Sequence, residues 1–488
     1  MHPVDVDRQT EVSAAVPGSG GALDEAVLRD LRRTFRGELL QPGDPGYDAA
    51  RRVWNATVDR RPVLIARCTG TADVLTALRF SRDEGLAISV RGGGHSVAGH
   101  AVLDGGLMID LSPMKGIRVD PEARRASVQS GCLWSEVDRE TQQFGLATTG
   151  GVVSQTGVAG LTLGGGQGWL ARKHGYSCDN LVAADVVTAD GGFVVADADR
   201  NTDLFWGLRG GGGNFGIVTS FQFRLHEVGP QVLTGQLFYA PEEAVRALEA
   251  FREFVAGAPD EMTCTASVWT AAEEPHLPER AHGRPVVMLG FVFVGDVEAG
   301  ERVSAPLRRI AKPLAELVGP MPYTVLQAQG DEYQRHGLRR FWKSQYLWDL
   351  PNAALETFLG RGPVSPGEPL LGGVTLLSLG GAIAHVGEDD TAVSHRNAAF
   401  DVMVSSTWAD PADDDRHMGW ARRFHGAMAP FSRGVYINNF GSEGEERIRA
   451  AYGPTKYERL VALKHRYDPD NVFRHNQNIR PSSSRLPG

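Results

Sequence analysis

The sequence predicts an α+β protein of more than one domain. Its 488 residues are 42% hydrophobic, enough for a sizeable core, and chains of this length usually divide into two or three domains. The N-terminal part has the pattern of a β-α-β unit. Residues 232–432 instead alternate short strand patterns with helical ones. That mixture is typical of a large antiparallel sheet flanked by helices.

The N-terminal elements follow in a recognisable order. An amphipathic helix starts near Leu23, a strand covers residues 62–68, a helix begins at Thr71, and a second strand covers residues 87–91. The residues that end this strand and follow it are Arg91, Gly92, Gly93, Gly94, His95 and Ser96. Glycines at the carboxyl end of such a strand let backbone N–H groups close on a phosphate, with an imidazole beside it.

Composition excludes several classes of partner. The formal net charge is −9, and no cluster of Lys and Arg points to a nucleic acid or an anionic membrane. No run approaches the roughly 18 apolar residues of a membrane span, and the N-terminus lacks the apolar region of a secretory signal. We therefore expect a cytoplasmic enzyme with a flexible leader over residues 1–22. The four scattered cysteines predict neither disulfides nor a metal site.

Two further glycine-rich segments carry information. Residues 148–168 are dense in glycine, which favours close backbone approach to a flat or charged ligand over a plain connecting loop. Gly211, Gly213 and Gly216 match the dinucleotide pattern G-x-G-x-x-G, but a helical segment precedes them and a strand pattern follows. The nicotinamide-binding motif needs strand before helix, so we reject that cofactor at this place.

Several motifs together resemble one family. They read R-G-G-G-H-S, T-G-V-A-G-L-T-L-G-G-G-Q-G-W, R-K-H-G-Y-S-C-D-N-L, D-L-F-W-G-L-R-G-G-G-G-N-F-G-I-V-T and P-D-N-V-F-R-H-N-Q-N-I. This set resembles the berberine-bridge-enzyme-like branch of the vanillyl-alcohol-oxidase, or PCMH-type, flavoproteins. The resemblance implies an FAD-binding domain over 23–231, made of two α/β subdomains that divide near 115. It also implies a substrate domain over 232–432 and a C-terminal segment, 433–488, that returns to the FAD domain.

The resemblance assigns the cofactor and its contacts. His95 matches the histidine that relatives bond to the flavin 8α-methyl carbon; the alternative is a loop histidine that only contacts a phosphate. Many relatives add a second link from a cysteine, but Val153 stands at that place, so we expect FAD attached through His95 alone. Cys132 and Cys178 are expected to be packing residues. The other expected flavin contacts, besides Arg91 to Ser96, are Gly157, Gly160, Gly164, Gly165, Gly168, Asn180, Gly216, Ile217, Val218, Asn476 and Asn478.

The same resemblance suggests catalytic residues. In relatives the residue equivalent to Val158 faces the flavin and influences access of O₂, and valine there resembles the oxidases. Tyr436 and Asn438 match a Y-x-N strand beside the flavin. Tyr436 is the candidate base if its pKa is lowered, and the alternative is a tyrosine that only packs or donates a hydrogen bond. Weaker candidates in the substrate domain are Lys343, Tyr346, His395 and Arg396, each of which also fits a structural role.

The expected function is that of an FAD-dependent oxidase. It would take a hydride from an alcohol, sugar or amine carbon of a small molecule to flavin N5 and pass the electrons to O₂, which becomes H₂O₂. One alternative is an oxygenase or oxidative cyclase on the same scaffold, and another is a redox-silent FAD-binding protein. The expected partners are a small-molecule substrate and O₂, without nucleic acid or membrane, in a monomer or homodimer.

Overall fold

The computed structural model describes residues 23–361, 372–441 and 443–482. The expected leader, residues 1–22, lies outside the described residues. The strands are β1 (Glu38–Leu40), β2 (Leu64–Arg67), β3 (Ile88–Arg91), β4 (Leu107–Asp110), β5 (Ile117–Asp120), β6 (Arg125–Gln129), β7 (Leu146–Ala147), β8 (Leu181–Val187), β9 (Phe193–Asp197), β10 (Ile217–Arg224), β11 (His226–Glu227), β12 (Gln231–Tyr239), β13 (Met262–Thr270), β14 (Pro285–Phe293), β15 (Ala315–Pro322), β16 (Arg339–Leu347), β17 (Gly372–Ser378) and β18 (Phe400–Trp408).

The α-helices lie between these strands and in the C-terminal part. They are α1 (Glu25–Thr34), α2 (Tyr47–Arg51), α3 (Thr71–Asp83), α4 (Trp134–Thr141), α5 (Val158–Leu163), α6 (Ala171–His174), α7 (Thr202–Leu208), α8 (Ala244–Ala256), α9 (Val297–Ser304), α10 (Tyr323–Ala328), α11 (Asn352–Arg361), α12 (Ala382–His385), α13 (Asp414–Met428), α14 (Gly444–Tyr452) and α15 (Pro454–Tyr467). Within the described part of the chain, no helix is long and apolar enough to cross a membrane.

The first sheet carries the glycine loop. Its strand order is β1-β2-β4-β3, and β4 runs parallel to both β2 and β3. The predicted β-α-β unit is therefore present as β2, α3 and β3, but β4 is inserted between its two strands. Because β3 lies at the sheet edge, the residues that follow Arg91 turn away from this sheet, and Gly93 contacts Gly157 just before α5.

The second sheet is antiparallel and supports the other glycine-rich segments. Its order is β5-β6-β10-β8-β9. The helix α7 precedes Gly211, Gly213 and Gly216, and β10 follows them, so the order of elements that excludes a nicotinamide motif is confirmed. The C-terminal helix α15 packs on α7, and its Leu460 and Leu463 belong to the same hydrophobic core.

The third sheet is the largest. Seven antiparallel strands follow the order β15-β12-β14-β13-β17-β18-β16, and this confirms the prediction of a large antiparallel sheet flanked by helices. Successive side chains of a strand point to opposite faces. Along β18, Phe400, Val402 and Val404 belong to the core with α8 and α13, while Asp401 and Met403 line a cavity on the other face.

A buried ion pair fixes the chain after α15. Lys464 Nζ lies 2.6 Å from Asp468 Oδ2, both side chains are fully buried, and Nζ also donates to the Asn214 carbonyl oxygen at 2.9 Å. Asp468 accepts the backbone N–H groups of Val472 and Phe473 at 2.7 and 2.8 Å. The tail that follows is held by the Asn214 side chain, which donates to the Gln477 carbonyl oxygen at 3.1 Å.

A second buried carboxyl group lies where α4 meets α10. Asp138 Oδ2 accepts from Gln327 Nε2 at 3.0 Å, and Asp138 Oδ1 is buried without a hydrogen-bond partner. Burial raises the pKa of Asp138 to about 7, although the hydrogen bond from Gln327 opposes the rise. The folded protein thus keeps this carboxyl protonated in a range where the unfolded chain ionises it.

We predict that Asp138→Asn removes a pH-dependent loss of stability. The folded pKa is raised, so the stabilising contribution is complete below the ordinary value of 3.8 and is lost as the pH rises to about 7. The melting temperature of the wild type, relative to Asp138→Asn, should therefore fall between about pH 4 and about pH 7. Asp199→Asn, at an exposed aspartate, is the control. Parallel melting curves for Asp138→Asn and the wild type across this range would contradict the prediction.

Candidate functional site

A cavity of about 480 Å³ lies where the three sheets meet. The glycine loop after β3 and residues 151–167 form one side, and the tail after α15 closes one end. The open face of the seven-stranded sheet forms the other side. A chamber of this size, walled by glycine backbone on one side and side chains on the other, suits a ligand with a flat, extended part.

Two glycines bring the first side together. An added Cβ atom on Gly93 would lie 2.5 Å from the Gly157 Cα atom, and one on Gly157 would lie 2.4 Å from the Gly93 nitrogen. Any side chain at either position would separate the two segments. The backbones of the glycine loop and of the segment before α5 are therefore in direct contact, and glycine backbone forms part of the cavity floor.

Most of the predicted site residues line this cavity. From the glycine loop and the segments around α5 and β10 they are Gly92, Gly93, Gly94, His95, Ser96, Val153, Gly157, Gly160, Gly164, Gly216, Ile217 and Val218, and from the C-terminal part they are Tyr436, Asn438 and Asn476. Segments far apart in sequence thus converge on one chamber.

Six predicted residues do not line the cavity. They are Arg91, Val158, Gly165, Gly168, Asn180 and Asn478. The Val158 side chain is fully buried in the hydrophobic core beneath the floor, because the first turn of α5 points it inward, whereas the neighbouring Thr156 lines the chamber. Asn180 donates to the carbonyl oxygens of His174 and Tyr176 at 2.9 Å.

Two more of these residues, Arg91 and Gly168, have structural contacts outside the cavity, and Asn478 Oδ1 is buried without a hydrogen-bond partner. Arg91 donates to the Ala50 carbonyl oxygen, which ties the glycine loop to α2. Gly168 packs against the Gly150 carbonyl oxygen, where an added Cβ would lie only 1.8 Å away.

The cysteines Cys132 and Cys178 are fully buried and form no disulfide, which agrees with the expected packing role.

His95 is held in the wall with one nitrogen unused. Its ring stacks on Trp54 with centroids 4.0 Å apart and 19° between the planes. Its Nε2 atom is buried without a hydrogen-bond partner. Burial, assisted by the charge of Arg340, lowers the pKa of His95 to about 3, so the ring is neutral at physiological pH.

Tyr436 lies at the junction between the glycine segment and the large sheet. Its hydroxyl oxygen accepts from the backbone N–H groups of Gly166 and Gln167 at 2.8 and 3.0 Å and from Asn438 Nδ2 at 2.9 Å. Gly166 has φ +96°, and an added Cβ there would fall 2.1 Å from Ser177 Oγ. Only glycine therefore permits the backbone turn that aims these two N–H groups at the phenol.

One expectation for Tyr436 needs correction, and the condition set for its role as a base, a lowered pKa, is not met in the free protein. The Y-x-N segment is a single 3₁₀ turn, Ile437–Asn439, rather than a strand. Burial raises the pKa of Tyr436 instead of lowering it, although the three hydrogen bonds act in the opposite direction. A hydroxyl oxygen has two lone pairs, so three converging donors favour negative charge on it.

Asp401 was not predicted from the sequence. It is 3% exposed, and among the described residues that line the cavity it is the one Asp, Glu, Lys or Arg side chain. Burial raises its pKa to about 7, and hydrogen bonds from Ser344 and Gln167 oppose the rise. The signal available in the sequence was an acidic residue within the alternating apolar run F-D-V-M-V of β18, on the face opposite the core.

The four weaker candidates lie outside the cavity wall. Lys343 Nζ pairs with Glu443 at 3.1 Å, and Arg396 forms a buried two-point ion pair with Asp179 at 2.7 and 3.0 Å. His395 has φ 62° and contacts the Ala450 carbonyl oxygen. Tyr346 accepts from Gln167 Nε2 at 3.1 Å, behind the cavity wall. These contacts explain the four residues structurally.

The wall residues fit FAD. The floor offers backbone N–H groups and glycines, as a pyrophosphate and a flat ring need. Several buried polar atoms of the wall lack any protein partner: His95 Nε2, both ring nitrogens of His100, Trp342 Nε1 and Asn476 Oδ1. Buried polar groups are almost always hydrogen-bonded, so these atoms indicate a polar ligand in the chamber.

Comparison with known families gives the same assignment. Residues 62–197 match the FAD binding domain family, and residues 435–480 match the family described as berberine and berberine like. The (R)-6-hydroxynicotine oxidase of Paenarthrobacter nicotinovorans is 32% identical over 464 residues, which cover 92% of this chain and 98% of that protein. Aclacinomycin-N/aclacinomycin-A oxidase of Streptomyces galilaeus is 30% identical and covers 89% of this chain and 88% of its own.

Solved structures share the whole architecture. The crystal structure of 6-hydroxy-D-nicotine oxidase from Arthrobacter nicotinovorans has a TM-score of 0.80 at 30% identity, covering 92% of this chain and 98% of that one. A chitooligosaccharide oxidase, at 24% identity, has a TM-score of 0.81 and covers 94% of this chain. The latter shows the common fold alone.

Proposed function

The chain belongs to the berberine-bridge-enzyme-like FAD-linked oxidoreductases of the PCMH-type superfamily, and we propose that it oxidises an alcohol, sugar or amine carbon of a small molecule. It is an FAD-linked oxidase that uses O₂. When bound, FAD accepts a hydride from the substrate carbon and passes the electrons to O₂, which leaves as H₂O₂. The observation that carries the proposal is the Tyr436 oxygen, which accepts three hydrogen bonds at the cavity wall.

Tyr436 is the proposed proton acceptor. An alcohol that loses a hydride from its carbon must also give up its O–H proton, and a protonated amine must first give up its ammonium proton. The donors from Gly166, Gln167 and Asn438 stabilise a phenolate in a site without bulk water, where fixed dipoles act strongly. Burial makes this phenolate costly in the free protein, so we propose that Tyr436 gives up its proton to solvent as substrate binds and then accepts the proton of the substrate.

Asp401 is proposed to recognise the substrate. Thr265, Thr375 and Ser405 line the same sheet face and offer neutral hydrogen-bonding groups. No lysine or arginine lines the described cavity wall, so an anionic substrate would enter without a counter-charge. A neutral polyol or an amine is compatible with this wall, and a protonated amine gains a partner in Asp401. The amine substrate of the nicotine-oxidising relative agrees with this choice.

His95 is proposed as the single covalent attachment point. Its Nε2 is buried without a partner, and the neutral ring is nucleophilic. Val153 lines the cavity where a second linking residue would be needed, and its side chain has no group that bonds flavin. The proposed cofactor is therefore FAD held by one covalent bond.

We predict that the flavin remains with the denatured chain and is lost from the His95→Ala variant. The alanine lacks the ring nitrogen that would form the bond, although the glycine floor is unchanged. Flavin fluorescence of the chain after denaturing electrophoresis, with intact mass, is the measurement. The control His385→Ala removes an exposed histidine outside the cavity and should keep the flavin attached. Flavin released from the denatured wild type would refute the covalent link but leave the oxidase function standing.

We predict that Tyr436→Phe slows anaerobic flavin reduction by substrate about 10²-fold to 10⁴-fold, the usual contribution of a general base. Phenylalanine keeps the packing and removes the oxygen that the three donors surround. Stopped-flow absorbance, with substrates first found by screening amines and sugars for peroxide release, is the measurement. Tyr239→Phe removes the hydroxyl of another buried tyrosine, which contacts the Leu307 carbonyl oxygen, and should not slow reduction. An unchanged rate in Tyr436→Phe would remove this residue from the mechanism.

We predict that kcat/KM for an amine substrate rises as the pH increases through about 7. The Asp401→Asn variant should lack this rise. The pKa of Asp401 is raised to about 7, so the carboxyl is neutral below that pH and ionised above it. Only the ionised form pairs with an ammonium group. The measurement is the pH profile of kcat/KM for two amines of different basicity, which separates the enzyme group from the substrate group. If kcat/KM of Asp401→Asn still rose near pH 7, the rise could not come from Asp401.

A further inference from the structure

A short strip of chain, Trp54 and Asn55, connects the glycine loop to the large sheet. The backbone N–H of Trp54 donates to the Gly94 carbonyl oxygen at 3.0 Å, one residue before His95. Asn55 Nδ2 donates to the Val97 carbonyl oxygen at 2.8 Å and to that of Arg340 at 3.0 Å. The strip therefore holds the loop on both sides of His95 and fastens it to the first residues of β16.

The side chains of His95, Trp54 and Arg340 form a stack, with Trp54 in contact with both of the others. Trp54 is fully buried, and its ring contacts His95 at 4.0 Å between centroids. The guanidinium carbon of Arg340 lies 4.0 Å from the centroid of a Trp54 ring. Trp54 Nε1 donates to the Gln334 carbonyl oxygen at 2.6 Å, which fixes the rotation of the indole. The imidazole of His95 thus takes its orientation from a side chain that the large sheet holds in place.

Arg340 is an unusual residue to bury. It is 1% exposed, and no carboxylate of the described residues forms an ion pair with it. Its donors go to backbone carbonyl oxygens of Trp54, Tyr333, Arg335 and Leu338. Burial lowers the pKa of Arg340 to about 10, so the group still carries its charge at neutral pH. A buried cation without a counter-ion is costly, and methionine or leucine would fill the volume more cheaply.

We infer that Trp54 and Arg340 are positioning residues for attachment of the flavin to His95. Trp54 holds the imidazole plane, and the cation–π contact of Arg340 holds Trp54 while its charge disfavours a proton on His95. The inference rests on the proposed covalent link. In that reaction an imidazole nitrogen bonds to the 8α carbon, and one C–H bond of the methyl group and the imidazole N–H bond break. The two protons and two electrons released pass through the flavin to O₂, which becomes H₂O₂.

The experiment follows attachment separately from binding. Full-length chains purified without flavin are incubated with saturating FAD in air, and the covalently modified fraction is followed by denaturing mass spectrometry. Noncovalent binding is measured in parallel by quenching of FAD fluorescence. We expect Arg340→Gln to bind FAD yet attach it at least tenfold more slowly than the wild type. Arg340→Lys keeps a cation over the indole and should restore most of the rate.

A second variant and a control keep the test decisive. Trp54→Phe keeps an aromatic ring for stacking but binds a cation more weakly, so its rate should fall between those of the wild type and Arg340→Gln. Arg459→Gln breaks a cation–π contact of similar geometry, 3.7 Å from a Trp206 ring centroid and outside the cavity, and should attach FAD at the wild-type rate. Wild-type rates in both Arg340→Gln and Trp54→Phe overturn the inference. Absence of attachment in the wild type instead overturns the proposed covalent link.

Discussion

The contact between the backbones of Gly93 and Gly157 is the constraint on which the rest of the site depends. No side chain fits between these segments, since an added Cβ on either would lie within 2.6 Å of the other. The contact joins the edge of the first sheet to the segment that begins α5. The glycine backbone of the floor adds little bulk, which leaves room for a flat ligand between the floor and the large sheet.

The two sides of the cavity differ in the types of residue that line them. The floor is nearly free of charge, while the sheet face adds one carboxyl group, Asp401, and Tyr436 lies where floor and sheet meet. Gln167 joins the two, because its backbone N–H donates to the Tyr436 oxygen, its side chain donates to Tyr346, and that side chain also opposes the rise in the pKa of Asp401. A buried polar network of this kind fixes geometry when its members are satisfied. Asp401 Oδ1 is the exception, because it is buried without a hydrogen-bond partner.

The sequence predicted helices, strands and loops better than it predicted the direction in which a given side chain points. The glycine loop, the helix before Gly211 and the strand patterns within residues 232–432 were accessible because each is a local pattern with a physical cause. The direction of Val158 was not, since neighbouring residues of one helical turn face the core or the cavity according to how the helix packs. The stack of Arg340 on Trp54 joins residues 286 positions apart, and no local pattern reports such a contact.

The cavity draws on nearly the whole chain, from Trp54 behind His95 to Asn476 and Gln477 at its end. Its contacts are therefore among the most distant in sequence that the fold contains, and contacts of that kind slow folding. A partly synthesised chain has the glycine loop but lacks Tyr436 and the tail that close the chamber. Uptake of the cofactor thus requires that the three larger sheets and the residues after α15 have assembled, so bound flavin marks a chain that has completed folding.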